Sequence, residues 1–316
     1  MMNVHIHPLL VVPRELLLLI VNLLDIGSSF PLGVTTKYFR KNLDKIDKEV
    51  IILDVICNGH TNLFMWMMRD VPINGMEYER YSKQAAFFGS LDILKHLYET
   101  DPDSARYHFG DTLYSAAAGN RLEIVKWLRD NGWKLNENTC MSAAENGHLE
   151  LLQWLRENDC PWDEYTFCRT ARNGHIEIVK WLHENGCPWS TFAYNTAAET
   201  FPDEISKCSY DSENPRNGDH LEIIKYLHNN NCPFDEMACV YASATGHYDI
   251  LKYLHEIVRC PWTKYACEIA IKFDRLEILK YLHENGCPWD AWSYKHAVEY
   301  NRTEILKYLC ENGCPS

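Results

Sequence analysis

One phrase recurs along this chain: small residues, a polar turn, an amphipathic run, then Asn-Gly-Cys-Pro-Trp or a close variant. It reads AAENGHLELLQWLRENDCPW at 143–162 and TARNGHIEIVKWLHENGCPW at 170–189. Further copies are SATGHYDILKYLHEIVRCPW at 243–262, AIKFDRLEILKYLHENGCPW at 270–289 and AVEYNRTEILKYLCENGCP at 297–315. An aromatic residue fixes the register at Trp127, Trp154, Trp181, Tyr226, Tyr253, Tyr281 and Tyr308, in steps of 27, 27, 45, 27, 28 and 27. A unit this short cannot bury its own apolar face, so it must stack on its neighbours. Weaker copies at 57–70 and 85–100 extend the array, giving about nine units from residue 49 to 316. The long step is an insertion, 200–216 together with Asp219, in the turn between the two helices of its unit.

Each unit predicts two short helices. Ala143 and Ala144, or Ala197 and Ala198, allow two backbones to approach closely. Gly147, Gly174, Gly218 and Gly246 mark the turn. Ile176, Val179 and Leu182 then share one helical face while Glu177 and Lys180 face water. Asn185-Gly186 ends the second helix in left-handed geometry, and Pro188 prevents its continuation.

These units resemble ankyrin repeats: NGHIEIVKWLHENG is close to the family's second helix, and DTLYSAAAGN at 111–120 is similar to its first. The family's repeat runs about 33 residues. The missing residues fall between Cys187-Pro188-Trp189 and the next first helix, where the family has its β-hairpin finger. The resemblance therefore implies an all-α solenoid, with short units similar to those of amoebal giant viruses and some protists. It also implies binding of a protein through the side formed by first helices and the loops before them. In that phase stand Tyr165, Arg169, Arg172, Asn195, Tyr241, Tyr265, Glu268, Lys272, Trp292, Lys295 and His296. The types Tyr, Trp and Arg dominate binding hot spots.

Residues 1–48 do not follow the repeat. VPRELLLLIVNLLD at 12–25 gives a helical stripe after Pro13, and IGSSFPLGVTTKYFRKNL follows. This segment resembles the F-box, a helical bundle that docks on the adaptor subunit of cullin–RING ubiquitin ligases. Val12, Pro13, Glu15 and Leu16 match its opening, and Leu24-Asp25 the end of its first helix. Phe30, Leu32 and Val34, then Thr36, Lys37 and Phe39, fall on its later positions, with Pro31 and Gly33 standing where the family has regular helix. The resemblance implies adaptor contacts through Pro13, Leu16, Ile20, Phe30 and Phe39. The other reading is an apolar bundle capping the first repeat, with the chain a scaffold that has no ubiquitin link.

Composition narrows the partners. With 44 acidic against 31 basic residues the formal charge is −13, a poor match for nucleic acid or anionic membrane. The longest mainly apolar run, Leu16–Leu24 with Asn22 inside it, is far short of the roughly 20 residues that span a bilayer. A cytoplasmic monomer is expected, in the host cytoplasm for a viral chain. The 13 cysteines are an odd number, and six of them recur at one repeat position: Cys160, Cys187, Cys232, Cys260, Cys287 and Cys314. Free cysteine packs there as a small hydrophobe. His183 and Cys187, His228 and Cys232, and His283 and Cys287 share a His-x3-Cys spacing, but two ligands per unit fall short of the four of a structural zinc. His60, His148, His175, His220 and His247 stand before second helices, where a ring nitrogen can bond to backbone. No phosphate loop, nucleophile elbow or His-Glu-x-x-His is present. No enzyme, cofactor or metal is expected.

Overall fold

A computed structural model describes residues 48–68, 73–108, 110–199 and 220–315. The F-box-like segment, with Pro13, Leu16, Ile20, Phe30 and Phe39, lies outside the described residues, as does the insertion at 200–216. Among the described residues there is no strand, and the helices follow one another in nine pairs. The loss of the hairpin finger thus leaves an all-helical array. The chain divides into two compact units, Met1–Leu135 and Asn136–Ser316.

In the first unit the pairs are Lys48–Cys57 with Thr61–Met68, Gly75–Phe88 with Leu91–Thr100, and Thr112–Ala118 with Leu122–Asp130. A further helix, Pro102–His108, starts at a proline whose missing N–H costs nothing at a helix start. Repeat periodicity gave no sign of it. Gly75–Phe88 opens with a capping box: Asn74 accepts from the Glu77 N–H while the Glu77 carboxylate accepts from the Asn74 N–H. Tyr98, Trp127 and Trp133 pack edge to face and stacked at 5.7–6.4 Å.

In the second unit the first helices are Glu137–Glu145, Glu164–Arg172, Thr191–Ala198, Met237–Thr245, Lys264–Lys272 and Ala291–Glu299. Their partners are Leu149–Glu157, Ile176–Glu184, His220–Asn229, Tyr248–Tyr253, Leu276–Glu284 and Thr303–Glu311. Consecutive first helices pack on one another through fully buried alanines such as Ala143, Ala171, Ala197, Ala242 and Ala270. Second helices supply Leu152, Val179, Ile224, Leu251 and Leu279, each fully buried. Each such aliphatic contributes roughly 1.5–3 kcal/mol relative to exposure.

Three side-chain devices repeat with the units. Asn158, Asn185, Asn230, Asn285 and Asn312 each donate from Nδ2 to the carbonyl four residues back, at 2.8 Å, a second bond to a carbonyl that also accepts the same residue's backbone N–H. The ladder thiols close each unit on its own start. Cys160, Cys187, Cys260, Cys287 and Cys314 donate to the carbonyls of Asn136, Asp163, Asp235, Thr263 and Asp290 at 3.1–3.5 Å. Cys232 reaches Ser190 at 3.6 Å, so the insertion between them leaves the ladder intact.

The third device joins neighbours. The residue preceding a second helix reaches back to a carbonyl at the end of the previous first helix. His175 Nε2 meets the Glu145 carbonyl and His220 Nε2 the Arg172 carbonyl, both at 3.0 Å. Arg275 and Arg302 donate to Ala244 and Lys272. In the first unit Arg121 donates to Phe87 at 2.9 Å and Ser90 to Ile56 at 2.7 Å. Burial lowers the His175 pKa from its usual 6.5, so the ring is held neutral.

The repeat whose step is 28 shows how one extra residue is absorbed. Tyr248–Tyr253 continues as a π-helical turn, Leu254–Val258, and Arg259 takes the left-handed conformation at φ 61°. The wider turn takes up the added residue, and Cys260 keeps its ladder bond.

Candidate interaction surface

In the second unit the packing of successive first helices decides what faces out. Asn136 and Asp163 sit in extended geometry and accept from the N–H groups of Thr139 and Thr166 at 3.1 Å. Asp290 accepts from the Trp292 N–H at 2.9 Å. The third helical residue is buried at Thr139, Thr166, Ala193, Ala266 and Ser293, and so is Ala238, the second residue of its helix. In each case the residue before it turns away from the stack.

Five residues after a ladder cysteine stand Tyr165, Phe192, Met237, Tyr265 and Trp292 in five successive units, second in their helices except for Met237, which is first. Their exposures are 63%, 59%, 36%, 57% and 55%. Large apolar side chains scattered singly on a surface need no explanation, but the same position repeated in five successive helix pairs forms a continuous row. Further along the helices lie cations. Arg169, Lys272 and Lys295 are exposed, and the Lys295 ammonium sits 4.7 Å from the Trp292 ring centroid.

Of the residues expected on this face, Tyr165, Arg169, Tyr265, Lys272, Trp292 and Lys295 are exposed. Tyr241 is half-buried, and so is His296, whose ring lies 6.1 Å from Trp292. Arg172 is half-buried and pairs with Glu199 at 3.5 Å. Two expectations are corrected. Asn195 is buried, 4% exposed, and the Glu268 side chain is 12% exposed and pairs with Lys264 at 3.8 Å. The same helix position holds exposed Lys295 in Ala291–Glu299, the last first helix among the described residues, on which no further first helix packs. Phe192 and Met237 were missed, although they occupy the same column as Tyr165, Tyr265 and Trp292.

The His-x3-Cys pairs have other employment. His183 stacks on Trp189 at 4.0 Å, and its Nδ1 meets the Tyr226 hydroxyl at 2.8 Å. His283 repeats this with Trp289 at 3.8 Å and Tyr308 at 2.9 Å. Burial pushes the Cys187 and Cys232 thiols up to about 12, so they are donors rather than nucleophiles. Among the described residues, no three His, Cys, Asp or Glu side chains converge to hold a metal ion. No described helix is long and apolar enough to cross a membrane.

Residues 83–165 match the sequence profile of ankyrin repeats, in 3 copies. No curated protein matches the chain. The chain therefore contains ankyrin repeats, which are in general non-enzymatic interaction modules, and they support a protein-binding role.

Proposed function

We propose that this chain is an adaptor that recruits a target protein to a cullin–RING ubiquitin ligase. The target is held on the first-helix face of residues 136–316, and the observation that carries this half is the row of five exposed large apolar side chains. Tyr165, Arg169, Arg172, Tyr241, Tyr265 and Trp292 contribute, and Phe192 and Met237 join them. The ligase half rests on the F-box-like order of residues 12–39, with Pro13, Leu16, Ile20, Phe30 and Phe39 as the docking side chains. No chemistry is asked of the chain. Two binding surfaces on one polypeptide raise the effective concentration of target near the ligase, and transfer is performed by other subunits.

The test uses full-length chain and purified ligase adaptor subunit in a calorimeter. The wild type binds, Leu16→Asp abolishes binding, and Phe192→Ala leaves it unchanged. Lack of binding by the wild type removes the ligase half and leaves an ankyrin-repeat scaffold.

A further inference from the structure

The row has a spacing as well as a chemistry. Tyr165, Phe192, Met237, Tyr265 and Trp292 sit on successive first helices packed side by side. Packed helices stand roughly 8–10 Å apart, so the row presents one apolar group at each such interval. A ligand that uses all five must offer its own contacts at the same interval. A β-strand repeats a face every two residues, about 6.7 Å. An α-helix repeats about every 5.4 Å. A polyproline II segment has three residues per turn and advances about 9 Å, which matches the row without strain. It also has no internal hydrogen bonds to lose and needs little ordering on binding.

Charge sets the second edge of such a ligand. The chain as a whole carries −13, yet Arg169, Lys272 and Lys295 border the row on one side, and none of them has a carboxylate partner among the described residues. Glu199 and Glu268 are engaged by Arg172 and Lys264, and Glu299 stands one turn beyond Lys295 at the end of the same helix. Glu164 and Glu236 stand on the opposite border, at the helix starts.

We infer that the aromatic row binds an extended, proline-rich, acidic protein segment in the polyproline II conformation, with an apolar residue at every third position. One edge of the three-sided ligand lies on the row, a second carries carboxylates toward Arg169, Lys272 and Lys295, and prolines hold the twist. This inference rests on the reading of the first-helix face as the target-binding surface.

The test is fluorescence anisotropy with full-length chain and a labelled peptide of five Pro-Glu-Leu triplets. One control has the same composition in an order that destroys the three-residue period, and a second replaces Glu by Lys. The triplet peptide binds at least about tenfold more tightly than either control, and Phe192→Ala with Tyr265→Ala weakens it about tenfold or more. Both side chains are more than half exposed, so the double variant retains its fold. Equal binding of either control, or no binding of the triplet peptide up to about 1 mM, overturns the inference. Random peptides selected on the wild type separate the two levels. If they lose binding to the double variant but carry no three-residue period, the ligand class is wrong and the binding face stands. If they bind the double variant as well as the wild type, the reading of the face falls with it.

Discussion

The two compact units use the same staple between neighbours but differ in regularity. In residues 48–135 the reach-back side chains are Ser90 and Arg121, and in 136–316 they include His175, His220, Arg275 and Arg302. Both solve one problem, an orphan carbonyl at the end of a first helix. The cysteine ladder and the aromatic row belong to the second unit. In the first unit the second residues of the first helices include Met76, which is exposed, and Leu113, which is buried, so no row of large apolar side chains forms there. Where the spacing of units drifts, as from Ala85-Ala86 to Ala116-Ala117, one column cannot stay aligned. A strict period copies an outward position into a surface; an irregular one yields only a packed core.

The largest expected effect breaks this comparison at a glycine. A Cβ at Gly119 would lie 2.0 Å from the Phe87 carbonyl oxygen, backbone that cannot move aside. Gly119→Ala should destabilise the first unit by about 3 kcal/mol or more in urea unfolding. Gly147, in the next turn, has φ 84° and would meet only the His175 ring, at 3.0 Å. Gly147→Ala should cost about 1–2 kcal/mol, and equal costs would mean that both turns have the same constraint.

The histidine staple comes next. His175→Ala leaves the Glu145 carbonyl without this partner and should cost about 1–2 kcal/mol. It also carries a pH signature. The folded-state pKa is lowered below 6.5 by burial, so the unfolded chain takes up a proton first as pH falls. The stability is fully present above about pH 6.5 and is lost progressively as pH falls from there through the lowered folded value. His175→Gln should flatten that slope in unfolding curves between pH 7.5 and 5.5, whereas Arg121 in the first unit gives no such dependence.

A smaller effect belongs to the ladder. Cys187→Ala should cost about 1 kcal/mol. Iodoacetamide at neutral pH should label exposed Cys310 and spare Cys187, which mass spectrometry of the native protein reads directly. The smallest effect is on the outer face, where Lys180 pairs with Glu177 at 2.8 Å in partial exposure. Lys180→Ala should change stability by no more than about 0.5 kcal/mol, and a larger loss would show that second-helix surfaces matter more than their exposure suggests.

Much of this was legible in the residues. The helix pairs, their turns and the shared cysteine position follow from a short period that no single unit can satisfy alone. The anchors Tyr165, Tyr265 and Trp292 were recognisable by type and phase. Phe192 and Met237 were not, because residues weighed singly do not show a column, although aligning each unit on its ladder cysteine would have. The helix at Pro102–His108 and the π turn at Leu254–Val258 lie where the period breaks, and there the pattern has nothing to repeat.

By itself the sequence determined that the chain is a stack of helix pairs, since each amphipathic unit is too small to fold alone. Only the tertiary structure decided which side of each first helix stays open. Asn195 and Glu268 turn inward and Phe192 outward because the packing of successive first helices sets which side of each is covered, and about 100° of rotation separates adjacent helical residues. The partners of the ladder thiols were likewise set in three dimensions: each lies at the start of its own unit, one helix pair earlier, where only the folded turn brings a carbonyl within reach.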